Sequence, residues 1–332
     1  MRTLVICAAL LVSTFRASGA EMAALRVERL SENPIIRPEM LPGRDGENIN
    51  GPTLIRVPSW VKNPLGRYYL YFAHHNGKYI RLAYADRLEG PWKIHAPGVL
   101  QLTNAPGCRG HIASPDVIVD ETRREIRMYF HGPARAAEGQ KSFLALSPDG
   151  LSFKAREEIL GLFYFRVFRH DGAWYALAKG GMLSRSKDGL THFEPGPSVF
   201  PDGEARTGDL NGPGPRHVAV LPENGALWVY YSSIGDAPER IRRARLALTP
   251  NWREWKVTAS EEVLRPERDW EGAMLSVTVS KAGAVKGREH ALRDPGIFVD
   301  TDGRRYLLYS VAGESGLAIA ELKSTQNKLL KQ

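Results

Sequence analysis

Three carboxyl groups near the C-terminal end of the chain stand where they could handle protons. Asp294 precedes Pro295 in Arg293-Asp294-Pro295-Gly296-Ile297-Phe298, Glu314 follows the run Tyr306-Leu307-Leu308-Tyr309-Ser310, and Glu271 sits in Trp270-Glu271-Gly272 ahead of Ala273-Met274-Leu275. Cleavage of a glycosidic bond needs a protonated carboxyl that gives a proton to the leaving oxygen. It also needs a second carboxylate that activates water or attacks the sugar carbon. Arg293 favours the ionised form of Asp294, which suits the base. The apolar neighbours of Glu271 favour its protonated form, which makes it the expected proton donor. Trp270 either stacks on a sugar ring or fills core.

The elements that must position these groups repeat along the chain, and a repeat decides the fold before any local reading does. Residues 292–322 hold three β-type runs, the first two joined by an Asp302-Gly303 turn, and Tyr306 opens the second run 11 residues after Pro295. The same spacing leads from Pro115 to Ile126, from His217 past Asn224-Gly225 to Trp228, and from Tyr164 past Asp171-Gly172 to Tyr175. From Pro52 the second run, at 69–72, comes six residues late because 59–65 lengthens the hairpin. Third strands are expected at 79–85, 142–147, 181–186, 241–248 and 316–322, and fourth strands at 92–95, 152–156, 191–194 and 255–258. The fifth copy lacks a fourth strand, and residues 25–38 resemble 255–266. The chain therefore reads as an all-β, five-bladed β-propeller closed by the N-terminal strand pairing into the last blade, which removes exposed edges. The boundaries are a leader at 1–20, one propeller domain at 21–326 and a tail at 327–332. The turns Ser147-Pro148-Asp149-Gly150 and Ser186-Lys187-Asp188-Gly189 read as structural outer hairpins.

In such a ring the loops leading into the first strands, and those between second and third strands, open on one face, where a rigid scaffold can hold a site. The residue just before each Pro-like position is Gly51, Ser114, Phe163, Arg216 or Asp294. The loops around them add Glu47, Asn48, Asn50, His74, His75, His111, His131, Lys179, Asp209, Asn211, Asp236, Glu239, Glu289, His290 and Glu314. Asp294, Glu271 and Glu314 are the candidate catalytic residues. Asn50, His75, His111, Ser114, Arg166, Arg216, His217 and Trp270 are the candidate substrate contacts. Arg216 is expected either to face the ligand or to pair with Asp294. The basic residues Arg216, Lys179 and Arg166 point to an anionic sugar. No His or Cys pair has zinc spacing, and His74 and His75, adjacent on a strand end, should point apart.

Residues 293–309, Arg-Asp-Pro-Gly-Ile-Phe-Val-Asp-Thr-Asp-Gly-Arg-Arg-Tyr-Leu-Leu-Tyr, and Ser114-Pro115-Asp116-Val117 resemble blade motifs of five-bladed propeller glycoside hydrolases of the family 43 and family 117 type. As a repeat pattern the resemblance covers nearly all of the chain. It implies arabinan-, xylan- or galactan-type substrates and a trio of two Asp and one Glu. It places the base before the Pro of the first blade, where this chain has Gly51, and it likens Trp270-Glu271-Gly272 to the acid loop. A constellation shifted onto Glu47, Asp209 or Glu314 is the alternative. The family 117 likeness adds His111 and His290 as acid candidates, and an axial calcium-like ion on His217 or His290 is the one cofactor the resemblance implies.

Arg2, the apolar run at 4–15 and Ala17-Ser18-Gly19-Ala20 read as a secretion leader, too short to span a membrane. Cys7 lies inside it, leaving Cys108 without a partner for an internal disulfide. The formal charge of +8 is spread among carboxylates without a block of like charge, which argues against a nucleic-acid stripe and leaves an acidic ligand compatible. The sequence thus implies a secreted or periplasmic monomer with a carbohydrate partner, no nucleic acid and no membrane. It reads as a glycoside hydrolase, with a propeller that binds glycans without cleaving them as the alternative.

Overall fold

The computed structural model describes residues 25–201 and 211–324. The expected leader, the candidate Asp209 and the expected tail lie outside the described residues. Five antiparallel sheets form the blades. Blade 1 runs Asn50–Arg56, Tyr68–Ala73, Tyr79–Ala85 and Lys93–Gln101. Blade 2 runs Ala113–Asp120, Glu125–Pro133 and Gln140–Ser147, with the short outer pieces Lys154–Ala155 and Gly161–Leu162. Blade 3 runs Arg166–His170, Ala173–Leu177, Met182–Ser186 and Glu194–Ser198. Blade 4 runs Gly214–Glu223, Ala226–Ile234, Ile241–Ala247 and Glu261–Leu264. Blade 5 runs Arg293–Val299, Arg305–Ser310 and Leu317–Ser324, and its outer strand is Leu25–Arg29, paired antiparallel from Leu25↔Ser324 to Arg29↔Ala320. The N-terminal strand closes the last blade, as the sequence comparison implied. The five innermost strands touch in order around a ring, and the strands of blades 5 and 1 complete it. Among the described residues no helix is long and apolar enough to cross a membrane.

Strands alternate their side chains between two faces, and here each face packs on a different neighbouring blade. Tyr69 and Tyr71 pack with Val117, Met128 and Phe130 of blade 2, whereas Tyr68, Leu70 and Phe72 pack with Phe298, Tyr306 and Leu308 of blade 5. Tyr129, Trp174 and Ala176 fill the seam of blades 2 and 3, Phe168, Val229 and Tyr231 that of blades 3 and 4, and Tyr230, Leu307 and Tyr309 that of blades 4 and 5. Burial on both faces explains why these strands read as continuous apolar runs rather than polar–apolar alternation. Outer turns pin the seams further. Tyr71 donates to the Gly150 carbonyl at 2.9 Å and Tyr129 to that of Gly189 at 2.7 Å, while Asp149 and Asp188 accept backbone N–H groups of their own turns.

Two expectations shift. In blades 1, 2, 4 and 5 the first hairpin skips two residues: Gly51-Pro52, Ser114-Pro115, Arg216-His217 and Asp294-Pro295. Three of these bulges begin in left-handed backbone, with φ of 60° at Gly51, 43° at Ser114 and 50° at Asp294. The blade 3 counterpart is Tyr164, φ 67°, not Phe163, because Phe163 still pairs through the Lys179 N–H at 3.0 Å. Blade 3 turns through only Asp171-Gly172, both left-handed as a tight hairpin turn demands, whereas blade 5 spends 300–304 on its turn, so counting from the Asx-Gly pair misplaces the bulge by one. The outer strand of blade 3 lies at Glu194–Ser198 rather than 191–194, and that of blade 4 at Glu261–Leu264 rather than 255–258. Trp255 instead enters the core, donating from Nε1 to the Thr249 carbonyl, and only Val257 of that stretch bridges to Leu246.

Candidate active site

The bulges turn their first residues toward the mouth of the ring, and the loops after the second strands meet them there. Asp294, buried at the head of blade 5, is hydrogen-bonded through Oδ1 to His217 Nδ1 from the blade 4 bulge and accepts the Ser310 hydroxyl on Oδ2 at 3.3 Å. Burial pushes its carboxyl up, but His217, by charge and hydrogen bond, then Arg216 and Arg293 outweigh it and hold the group well below the usual carboxylate range. His217 itself is pushed down by burial, against the pull of Asp294; its Nδ1 meets Asp294 Oδ1, and its Nε2 is buried without a partner among the described residues. Its ring lies edge-on to Tyr164, centroids 3.8 Å apart, and Tyr164 also meets His131 at 4.3 Å. Tyr164 thus forms the floor of the mouth in a strained backbone conformation, a feature that clusters at functional sites.

Glu314, in the loop after the second strand of blade 5, faces Asp294 from the blade 1 side. Asn48 Nδ2 donates to its Oε2, and His75 Nδ1 lies 3.8 Å from Oε1. Burial pushes this carboxyl up, the His75 imidazole pulls it down, the Asp294 charge pushes it up again, and Arg293 also pulls it down. The balance is a lowered value. Asn48 also orders blade 1: its Oδ1 accepts the His75 N–H at 2.8 Å and the Asn50 amide at 3.0 Å, leaving Asn50 Oδ1 buried and unpartnered. His74 turns away and accepts the Asn76 N–H, so the adjacent imidazoles do point apart.

Glu239 is the hub of the blade 4 side. It takes Arg216 Nε at 2.8 Å and the Ser232 hydroxyl at 2.8 Å on Oε1, and Arg293 Nε lies 2.7 Å from Oε2, where Ser280 also donates. Arg216 is therefore committed to Glu239 and to the segment at 280–283, and its pairing is not with Asp294. A buried charge with both carboxylate oxygens satisfied is a positioning device, and this one sets Arg293 beside Asp294 and Glu314. Sequence reasoning placed Glu239 on this face without singling it out. Tyr164, counted one place off, was not recognised as the ring residue of its blade.

On the blade 2 and 3 side, Arg166 donates from Nη1 to the Pro115 carbonyl at 2.9 Å, with Asp116 Oδ1 at 3.9 Å, and its Nη2 is buried without a partner. His111 Nε2 meets Gln140 Oε1 at 3.1 Å, and buried His131 leaves Nδ1 unpartnered. Lys179 Nζ stands 5.8 Å from the Tyr164 ring, and burial, then Arg216, pull its ammonium down to about 7. Ser114 is buried against Gly51. A Cβ on Gly51 would lie 3.0 Å from Ser114 Cα and Oγ and on left-handed backbone, so a side chain at the position that the resemblance gives to the base would be strained and would need Ser114 to shift.

Glu271 is not brought to the mouth. Its carboxylate accepts Arg29 Nε at 2.7 Å and the Tyr309 hydroxyl at 3.0 Å on Oε1, then Arg29 Nη2 at 3.0 Å and the Glu267 and Arg268 N–H groups at 2.8 and 3.1 Å on Oε2. It is fully buried, and its two oxygens accept five hydrogen bonds, which argues against its expected place as proton donor. The Trp-Glu-Gly likeness is local, and Arg29, 242 residues away, decides the role. Trp270 packs partly against the seam of blades 4 and 5 and lines a groove of about 600 Å³ with Arg37, Glu47 and Arg288. His290 bonds the Leu275 carbonyl. For an axial calcium-like ion, His217 offers one nitrogen where calcium wants several oxygens, and the described residues hold no group of three or more His, Cys, Asp or Glu placed for a metal.

No protein-family model matches the chain. Solved structures similar to it include a thermostable family-43 glycoside hydrolase (TM-score 0.58, 16% identity, 86% of this chain and 95% of that one). Others are an endo-1,4-beta-xylanase from Bacteroides thetaiotaomicron (0.57, 16%, 84% and 91%) and an exo-1,5-alpha-L-arabinanase from a bovine ruminal metagenomic library (0.51, 13%, 83% and 92%). These likenesses show the five-bladed fold. A relative in sequence is "Uncharacterized protein R118" of Acanthamoeba polyphaga mimivirus, 39% identical over 333 residues and matched over 92% of each chain. At that identity across nearly the whole of both chains, the protein belongs to the same family as this mimivirus protein, on a propeller of the kind that family-43 glycoside hydrolases use.

Proposed function

We propose that the protein cleaves glycosidic bonds at the mouth of the propeller, with Asp294 as base or nucleophile and Glu314 as proton donor. The observation that carries this reading is the pair itself: two buried carboxylates from one blade, each held by an imidazole, acting on each other's ionisation. When two carboxylates interact, the less stabilised anion takes the proton. Asp294 is held down by an imidazole and two guanidinium groups while its charge opposes ionisation of Glu314, so of the two Glu314 is the carboxyl that takes the proton, although its own value stays below the ordinary 4.5. The unpartnered atoms His217 Nε2, Asn50 Oδ1 and His131 Nδ1 supply hydrogen-bonding sites for sugar hydroxyls. A similar structure, the family 43 enzyme from Xanthomonas citri, was solved with xylotriose. That supports a carbohydrate partner here.

Product release from a panel of plant and algal oligosaccharides, read by mass spectrometry beside a binding measurement on the same panel, tests the assignment. Cleavage of at least one member is expected. Binding without products throughout would favour the second reading, a glycan-binding propeller, to which the withdrawn Glu271 and the side-chain-free Gly51 lend support. The apolar run at 4–15 with its small-residue exit supports export. A mature N-terminus near Glu21 in periplasm or medium is the expected result, and an intact Met1 would refute export.

A further inference from the structure

The two halves of the mouth carry charge differently. On the blade 5 and blade 1 side the anions Asp294 and Glu314 are bonded to imidazole and amide groups, and Glu239 absorbs Arg216 and approaches Arg293. On the blade 2 and blade 3 side two cations remain with donors to spare. Arg166 spends Nη1 on the Pro115 carbonyl, with Asp116 no closer than 3.9 Å, and its Nη2 is buried with no acceptor. Lys179 is 4% exposed, and its ammonium makes no hydrogen bond or ion pair among the described residues. A buried donor left without an acceptor is costly, and a fold that keeps two buried cations with unspent donors on the mouth holds a place for an anion. Both cations lie within electrostatic reach of His217 at the mouth. The Lys179 ammonium lies 5.8 Å from the Tyr164 ring and within electrostatic reach of Arg216, Glu239 and Asp294, without a direct bond to any of them among the described residues.

We propose that Arg166 and Lys179, standing over Tyr164, form an oxyanion subsite that takes the carboxylate or sulfate substituent of an acidic sugar, so that the substrate is an anionic glycan. This rests on the reading of the mouth as a sugar site and adds the substrate class. Arg166 offers Nη2–H and Lys179 an ammonium from a second direction, a suitable pair for a three-atom oxyanion. Arg216, the third basic residue that the sequence puts here, is excluded because Glu239 already occupies it. Asp294 and Glu314 lie on the opposite half, which orients the sugar: its acidic substituent goes to blade 3 and the bond to be broken goes to blade 5.

Calorimetric titration of the whole protein with matched methyl glycosides, neutral and uronate, in the gluco, galacto and manno series, with inorganic sulfate and phosphate as free anions, tests the proposal. At least one uronate should bind tenfold or more tighter than its neutral partner at pH 6. That advantage should fall at least fivefold by pH 9, as Lys179, with its value of about 7, loses its proton. Lys179→Met should remove the preference for charge, and Lys179→Arg should restore it. Neutral sugars that bind as well as uronates would overturn the subsite and leave the sugar-binding reading standing. Free anions that bind while no sugar does would overturn both. If Lys179→Met fails to fold, the wild-type pH titration decides, and a uronate preference that is flat from pH 6 to 9 refutes the proposal.

Discussion

Replacing Glu271 by Gln separates a structural carboxylate from a catalytic one. Its two oxygens accept five hydrogen bonds, from Arg29, Tyr309, Glu267 and Arg268, in a fully buried setting. Gln keeps the shape but turns an NH₂ toward one set of donors. In one flip it faces Arg29 Nε and the Tyr309 hydroxyl, in the other Arg29 Nη2 and two backbone N–H groups. Either way the Arg29 guanidinium loses its buried counter-charge and keeps only the exposed Glu267 carboxylate at 3.0 Å. Removing one partner of a buried pair costs about 3–5 kcal/mol, against about 1 kcal/mol for one neutral hydrogen bond. For a domain of this size about 2 °C per kcal/mol applies, so the thermal midpoint should fall by roughly 6–10 °C rather than about 2 °C. Arg29→Met should cost a similar amount, and the double variant less than the sum, because the two changes break one shared pair. Differential scanning fluorimetry, with glycan cleavage measured well below the midpoint, is the assay. An unchanged midpoint with cleavage abolished would return Glu271 to the catalytic machinery and refute the reasoning.

Acid should destabilise the fold in two steps. Burial, then the neighbouring imidazoles of His217, His111 and His75 and the Arg166 charge, hold His131 well below its ordinary 6.5, and burial lowers His217 as well. The unfolded chain therefore binds more protons than the folded one below pH 6.5, and stability is lost on acidification at about 1.4 kcal/mol per pH unit for each such histidine. Asp294, depressed below its ordinary 3.8, contributes fully above that value and is lost only at lower pH. Urea midpoints that do not change between pH 7.5 and 5 would contradict this, and His131→Phe should flatten the slope. Gly296→Ala should cost about 1–3 kcal/mol in urea unfolding, because a Cβ there would meet the Pro52 carbonyl oxygen at 2.5 Å where blade 5 closes on blade 1. A neutral result would mean that the closing seam is loosely packed.

The five blades were legible because their signals are local: apolar runs, Asx-Gly turns and a fixed spacing between them. The closing strand was legible for the same reason, since residues 25–38 look like an outer strand found elsewhere in the chain. Where turn chemistry varied, the spacing slipped, and the two-residue turn at Asp171-Gly172 moved the ring position from Phe163 to Tyr164. The meeting of Asp294, Glu314, Arg216 and His217 on one face followed from the repeat. Their pairing did not, because whether Arg216 reaches Asp294 or Glu239 depends on side-chain directions that spacing leaves open. Glu271 shows the limit most plainly: its sequence neighbours suggested a desolvated acid, while the strand that neutralises it comes from the far end of the chain.

The most direct measurement is the kcat/KM of Asp294→Asn and Glu314→Gln on the oligosaccharide that the wild-type protein cleaves fastest, together with the Kd of each variant for it. Loss of a positioned acid or base costs about 10²–10⁴-fold, so each variant should fall by that factor in kcat/KM while Kd stays within a few-fold of wild type. Cleavage that survives both substitutions would contradict the account and move the chemistry away from blade 5.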